Sequence, residues 1–358
     1  MSATATAEAA RTAGARVREA VTWLTPGYFA LVMASGIISV GLSLEGFATL
    51  SRVLLGVTVL AYAVLVVLFA WRIARYRHTV REDFADPARA FGFFTFVAGT
   101  NVLGARLAMA DAPGATAVLL TVSALTWFVL GYVVPWTAVL GRSERPVIRA
   151  ANGTWFIWVV ASQSVAVAAA TIEPVFGGAR RWLAVLAILC WSVGVFLYAA
   201  AGIFVALRLM VYPVRPVDLT PPYWVAMGAL AITVLAGARI VEMADAPMVN
   251  ATRGLIAGLA VVFWAFATWL IPVLVAAGWW RHVTSRVPLR YEATLWSIIF
   301  PLGMYAVAGI YLGRADGLPI VGAVGRYELW VALAAWLVTL AAMARHVVLT
   351  VFRSAPRA

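Results

Sequence analysis

Ten long apolar stretches follow one another along this chain, each bounded by charged residues, proline or glycine. They predict helices near 26–44, 53–73, 88–109, 115–140, 152–172, 182–210, 221–243, 253–280, 293–313 and 325–348. Each is long enough to cross a bilayer core about 30 Å thick. The pattern also repeats. Odd-numbered stretches carry an aromatic near the start, then an aliphatic and a run of small or polar residues: FALVMASG from Phe29, FTFVAGTN from Phe94, FIWVVASQ from Phe156, WVAMGALA from Trp224 and WSIIFPLG from Trp296. Successive aromatics lie 65, 62, 68 and 72 residues apart, two stretches plus their connections each time. Such a recurrence predicts helical hairpins repeated around an axis. The expected fold is an all-α polytopic membrane protein of ten transmembrane helices, built as five helical hairpins around a central pore with quasi-fivefold symmetry. Odd helices form the inner ring and even helices, rich in Leu, Val, Trp and Phe, face lipid.

The polar residues of the odd stretches sharpen this picture. Ser35, Thr100, Asn101, Ser162, Gln163 and Thr233 lie well inside apolar spans, where an unpaired polar group is costly and turns toward protein or water. Taken singly, each small or polar residue serves helix packing as readily as a lumen. Their recurrence in several hairpins favours the lumen for the set. Aligning the five strings places Met33, Ala98, Val160, Gly228 and Phe300 at one level, so four modest side chains meet one bulky ring. Phe300 is therefore the expected plug of the pore. Pro301 follows it and removes a helical hydrogen bond, which predicts a kink there.

Composition agrees. Of 358 residues, 64% are hydrophobic and 12% charged, which excludes a soluble globular domain. The net charge of +12 comes from arginine scattered between apolar runs, which indicates membrane topology and not a nucleic-acid partner. Nineteen arginines fall on the side of the termini and eight on the other: Arg52, Arg106, Arg180, Arg181, Arg239, Arg253, Arg314 and Arg326. The positive-inside rule then predicts cytoplasmic tails at 1–25 and 349–358 flanking a single transmembrane domain, 26–348, in the cell membrane, a bacterial inner membrane.

Catalytic chemistry is not expected. Cys190 is alone, His78, His282 and His346 sit near cytoplasmic helix ends, and no span shows a buried acid/base chain. No cofactor or metal is predicted, and an intramembrane enzyme is the remote alternative. Arg239 is expected to pair with Glu242 at i,i+3 spacing. Arg106 stays open between attracting anions at a pore mouth and snorkelling to headgroups.

The strings PGYFALVMASGIIS, FTFVAGTNVLG, PPYWVAMGALAITVLAG and WSIIFPLGMYAVAG resemble the tellurite-resistance/C4-dicarboxylate transporter family, within the slow-type anion channel superfamily. The resemblance runs from about Pro26 to the tenth span. It implies a quasi-fivefold barrel with a largely uncharged central pore, an occluding phenylalanine carried here by Phe300, and homotrimers with one pore per subunit. It implies passage of small anions, either C4-dicarboxylates such as malate or inorganic ions such as sulfite, nitrate and chloride. Facilitated diffusion is the expected mode, with a proton-coupled dicarboxylate or tellurite/sulfite exporter as the alternative.

Overall fold

The computed structural model describes residues 13–141 and 145–352, so parts of the two expected tails lie outside the described residues. Ten helices are long and apolar enough to span a membrane. We number them α1 (Pro26–Leu44), α2 (Ala48–Arg75), α3 (Ala90–Ala108), α4 (Pro113–Leu140), α5 (Gly153–Ile172), α6 (Gly177–Val211), α7 (Pro221–Val241), α8 (Pro247–Thr284), α9 (Ala293–Ala315) and α10 (Pro319–Thr350). The protein is thus a polytopic all-α membrane protein.

Two classes of helix emerge. In the odd helices 78–89% of the most apolar window is buried within the chain, against 17–33% in the even ones. Odd helices are also short, 19 to 23 residues, which at about 1.5 Å per residue matches the hydrocarbon thickness. Even helices run from 28 to 38 residues and extend past it. Each odd helix opens with a short 3-10 turn, and the change to α geometry falls within one residue of the repeated aromatic: Phe29, Phe94, Phe156, Trp224 and Trp296. The recurring sequence feature is therefore a recurring structural junction. Odd helices pack on one another in the closed order α1–α3–α5–α7–α9 and back to α1, and each even helix packs on the odd helix before it.

Four helices begin at least five residues earlier than the hydropathy predicts. The expected starts at 53, 182, 253 and 325 fall at or beside an arginine; the structure starts α2 at Ala48, α6 at Gly177, α8 at Pro247 and α10 at Pro319. Arg52, Arg180, Arg181, Arg253 and Arg326 thus lie inside the helices, within their first three turns. A long guanidinium stem tolerates this because its head reaches back to polar atoms. Arg52 bonds to the Ala48 carbonyl at 3.3 Å, and Arg253 bonds to the carbonyls of Val241 and Met243 at the end of α7. Pro247 and Pro319 occupy first-turn positions, where a missing N–H costs nothing. Outside the spans, Ala13–Thr22 and Arg77–Ala85 are helical. They are tied to α2 by Arg72, which meets Asp83 at 2.7 Å and the Thr22 carbonyl at 3.1 Å, while Arg89 completes the cluster on Asp83 at 2.7 Å.

The α9–α10 hairpin is closed by backbone against backbone. A Cβ added at Gly325 would lie 2.6 Å from the Ala306 carbonyl oxygen, and one at Gly313 would lie 2.6 Å from Gly322 Cα. Neither neighbour can rotate away. Gly325→Val should therefore cost about 1–3 kcal/mol or more and lower the unfolding temperature of the purified protein. Gly258→Val, in an open position on α8, should leave it nearly unchanged. Equal thermal shifts for the two variants would show that this close approach is not needed.

Candidate functional site

One stripe of each odd helix borders a common cavity of about 70 Å³. Counting from the aligned column at Met33, Ala98, Val160, Gly228 and Phe300, the residues four positions on are Ile37, Val102, Ser164, Ile232 and Met304, and all five line it. Seven positions on, Val40, Ala105, Val167 and Leu235 line it, and eleven on, Met109, Thr171, Arg239 and Tyr311 do. Offsets of four, seven and eleven share one helical face. The register inferred from the repeat is thus the register of the cavity wall. Met109, Thr171 and Arg239 also border a wider recess of about 410 Å³, which includes Asp111 and Val175 beyond the ends of α3 and α5.

The cavity stops one turn short of the aligned column, about 5.4 Å along each helix. None of the five column residues borders it. Met33, Ala98, Val160 and Phe300 are at most 2% exposed, so the level is filled. Phe300 shares the face of Met304 and Tyr311, which places it on the stripe beneath the cavity floor. Gly228 is filled by its neighbour: a Cβ there would lie 2.8 Å from the Pro301 ring. α9 continues through Pro301 to Ala315 without interruption.

The polar residues expected along the lumen divide differently. Asn101 alone among them borders the cavity, with its Nδ2 donating to Ser164 Oγ at 3.0 Å and its Oδ1 accepting from Ser123 at 2.6 Å. Ser35, Thr100, Ser162 and Gln163 are turned toward even helices instead, and the Thr233 hydroxyl donates to the Ala229 carbonyl of its own helix at 2.7 Å. Trp336 of α10 donates its indole N–H to Ser35 Oγ at 2.9 Å, and Trp127 of α4 donates to Ser162 Oγ at 2.8 Å. Thr100 gives its proton to the Phe96 carbonyl, so the Tyr62 hydroxyl of α2 donates to it at 3.0 Å. Gln163 donates to the Trp191 carbonyl of α6 at 3.1 Å. Trp191 in turn donates to the backbone carbonyl of Thr233 at 3.1 Å. In apolar surroundings each hydroxyl needs a partner, and the outer aromatics supply it.

These aromatics form a second repeat that hydropathy alone conceals. Tyr62, Trp127, Trp191, Trp264 and Trp336 are spaced by 65, 64, 73 and 72 residues, and four of them donate to the odd helix that follows, α10 to α1 closing the cycle. The acceptor in three cases lies two residues past the aligned column, at Ser35, Thr100 and Ser162. In α7 that place is Leu230 and the bond goes to Thr233 instead. In α9 it is Leu302, and the Trp264 indole N–H is buried without a partner. The spacing was legible in the sequence. Trp on a lipid-facing helix carries no hint of what its N–H meets.

Charge near the cavity is uneven. Arg239 is paired with Glu242 at 2.7 Å and lies over the Tyr311 ring at 5.5 Å, as its spacing predicts. Arg106 neither snorkels nor borders the cavity. It is 4% exposed and held by hydroxyls, with Nε 3.0 Å from Ser39 Oγ and Nη2 2.9 Å from Ser51 Oγ. Those two hydroxyls give their protons to each other's backbone carbonyls at 2.7 Å, so both oxygens are free to accept. No carboxylate among the described residues reaches Arg106, and its Nη1 is buried without a partner.

At the end where α9 begins, Tyr28, Tyr291 and Trp296 form a chain of bonds at 2.9 and 3.1 Å. Burial pushes the Tyr291 phenol far above its ordinary range, so it stays a neutral link. Sequence reasoning also passed over Glu328. With α10 starting at 325 it falls in the first turn; with the observed start at Pro319 it lies in the third.

Comparison with known proteins agrees with this architecture. A family model described as voltage-dependent anion channel matches residues 23–344. An uncharacterized membrane protein of Mycobacterium tuberculosis is 65% identical over 159 residues, 44% of this chain and 81% of that protein. Two uncharacterized transporters of Methanocaldococcus jannaschii are each 24% identical, one over 324 residues covering 88% of this chain and 91% of its own length. With nearly the whole span of ten helices inside the family match, the chain belongs to the voltage-dependent anion channel family.

Proposed function

We propose that the five odd helices enclose a path for small anions, closed at Phe300, in a cell membrane with the arginine-rich face in the cytoplasm. The observation that carries this reading is the shared register: the same helical offsets from one aligned column line a single cavity on all five helices, and the cavity ends one turn before the only large ring of that column. A wall of Val, Leu, Ile and Met with a few hydroxyls and one amide suits passage over tight binding, since an ion that is held weakly leaves readily. Inorganic anions and C4-dicarboxylates are the substrate classes to compare, by flux into proteoliposomes of malate, sulfite, nitrate and chloride.

The sign of the ion is favoured by Arg106. Arg239 is neutralised by Glu242, whereas Arg106 brings a buried positive charge with hydroxyl partners only. Its backbone neighbour Ala105 lines the cavity. A unit charge about 10 Å from the path in surroundings of effective dielectric about 20 is worth about 1.7 kcal/mol to an anion. A buried charge with no carboxylate partner is costly to keep, even in the last turn of a helix, which points to a use.

Two outcomes follow. Phe300→Ala should raise anion conductance in planar bilayers; each 1.4 kcal/mol taken off the barrier is worth about tenfold. An unchanged current in a folded variant would remove Phe300 as the closure. Arg106→Gln keeps donors for Ser39 and Ser51 but loses the charge, so reversal potentials under a salt gradient should shift toward lower anion preference, on the order of tenfold in permeability ratio. Unaltered selectivity would assign Arg106 a packing role only.

A further inference from the structure

The cavity meets the wider recess at a neck where an arginine is held by a single acid. Met109, Thr171 and Arg239 border both spaces, and Tyr311 lines the cavity at the same level of the repeat. The odd helices end here, so their carbonyl ends turn partial negative charge toward an arriving anion. A cation at the neck offsets it. Four arginines at this end are ion-paired among the described residues: Arg180 with Glu173, Arg253 with Asp245, Arg314 with Glu45 and Arg239 with Glu242. Arg239 is the only basic residue bordering either space, and the recess also brings Asp111.

The Arg239 pair is slender. Its Nη1 donates to Glu242 Oε2 at 2.7 Å, and the guanidinium lies 5.5 Å from the Tyr311 ring centroid. Glu242 caps the end of α7, its side chain is 40% exposed, and it has no second ion pair among the described residues. The protons already spent decide which donors remain for a ligand. Ser164 gives its hydroxyl proton to the Ala161 carbonyl and Thr171 gives its own to the Val167 carbonyl, both at 2.7 Å, so neither donates into the cavity. Asn101 keeps one amide N–H after its bond to Ser164. The Tyr311 hydroxyl makes no hydrogen bond among the described residues, and Arg239 retains the N–H groups that Glu242 does not take. Asn101 lies about 12 Å along the helix axis from the level of Arg239. The donors that one anion reaches together are therefore Arg239 and Tyr311.

We infer that Arg239 and the Tyr311 hydroxyl form an entry site for a compact oxyanion, and that the Glu242 carboxylate is a tethered stand-in which the arriving ligand displaces. A carboxylate on a guanidinium shows what the site accepts, since acceptor oxygens held in one plane match the guanidinium fork. Exchange replaces one charge-assisted bond by another and adds the Tyr311 O–H, while Glu242 turns to water. The cavity behind the neck, about 70 Å³, is less than half the roughly 150 Å³ that holds a benzene ring. An ion the size of nitrate fits it, and a four-carbon diacid does not. This inference deepens the proposed function and rests on it for passage inward; binding at Arg239 does not.

The two halves of one ion pair should then act in opposite directions. The test measures nitrate flux into proteoliposomes of the full chain over a range of concentrations, which separates half-saturation from maximal rate. It also follows the unfolding temperature of the purified protein as nitrate is added. Arg239→Gln should raise the half-saturating concentration about tenfold and abolish the nitrate-dependent rise in unfolding temperature. Glu242→Gln keeps the shape and drops the competing charge, so it should lower half-saturation about threefold or more and enlarge that rise. Tyr311→Phe keeps the ring beneath the guanidinium and should raise half-saturation about threefold. If Arg239→Gln does not assemble, the opposite shifts of Glu242→Gln and Tyr311→Phe carry the comparison. A pair that only braces α7 is lost alike in both variants, so half-saturation that rises in Glu242→Gln as in Arg239→Gln overturns the site. Malate that half-saturates at the concentration of nitrate overturns the compact ligand. Absence of nitrate flux in the folded wild type would instead remove the conduit, while the unfolding temperatures still decide the site.

Discussion

In a bilayer core no water is at hand to complete a hydrogen bond, so every polar group on a spanning helix must be answered by the protein. That requirement organises this molecule. Four of the five odd helices offer a hydroxyl or a carbonyl at mid-span that meets the N–H or O–H of an aromatic on an even helix. Trp336 on Ser35, Trp127 on Ser162, Tyr62 on Thr100 and Trp191 on the Thr233 carbonyl tie outer to inner ring, and the first of these joins the last helix to the first. Trp191 and Trp336 are buried between the rings and Tyr62 and Trp127 are half-buried, so a large apolar ring packs among helices while its polar tip meets the inner one, a combination Trp and Tyr provide.

With the hydroxyls spent on holding helices, the cavity wall is left mostly to aliphatic side chains. This inverts the intuitive reading in which polar residues line a path and apolar residues surround it. Asn101 is the instructive exception, since its amide bridges Ser123 and Ser164 and still borders the cavity. Electrostatic preference is then a matter of charge set behind the wall. Under the proposed function, Arg106, fixed by two serine hydroxyls, would act at a distance without offering a site where an ion is trapped.

Close approach is the complementary constraint. Gly228 admits the Pro301 ring beside Phe300, and Gly309, Gly313, Gly322 and Gly325 let α9 and α10 touch through their backbones. α9 is thus pressed tightly by α7 and α10 yet lacks the aromatic bond that fastens other inner helices to the outer ring. Its tie to α8 is the Tyr305–Thr268 hydrogen bond at 2.7 Å.

Much of this was legible in the chain itself. Ten spans, the odd–even division, the hairpin repeat and the common level of Met33, Ala98, Val160, Gly228 and Phe300 follow from periodicity, because a helix facing protein and a helix facing lipid need different residues at the same spacing. The Arg239–Glu242 pair also follows, because i,i+3 neighbours meet in any helix. The early starts of α2, α6, α8 and α10 did not, since a charge in the first turns looks like a loop until its stem is seen to reach back. Nor did the direction of Ser35, Thr100, Ser162 and Gln163, the turn of the Thr233 hydroxyl onto its own helix, or the burial of Arg106 behind the wall. Periodicity assigns a residue to a helix and a depth. Whether its side chain meets a lumen, a neighbouring helix or lipid depends on the rotation of that helix within the bundle, which many simultaneous contacts decide together.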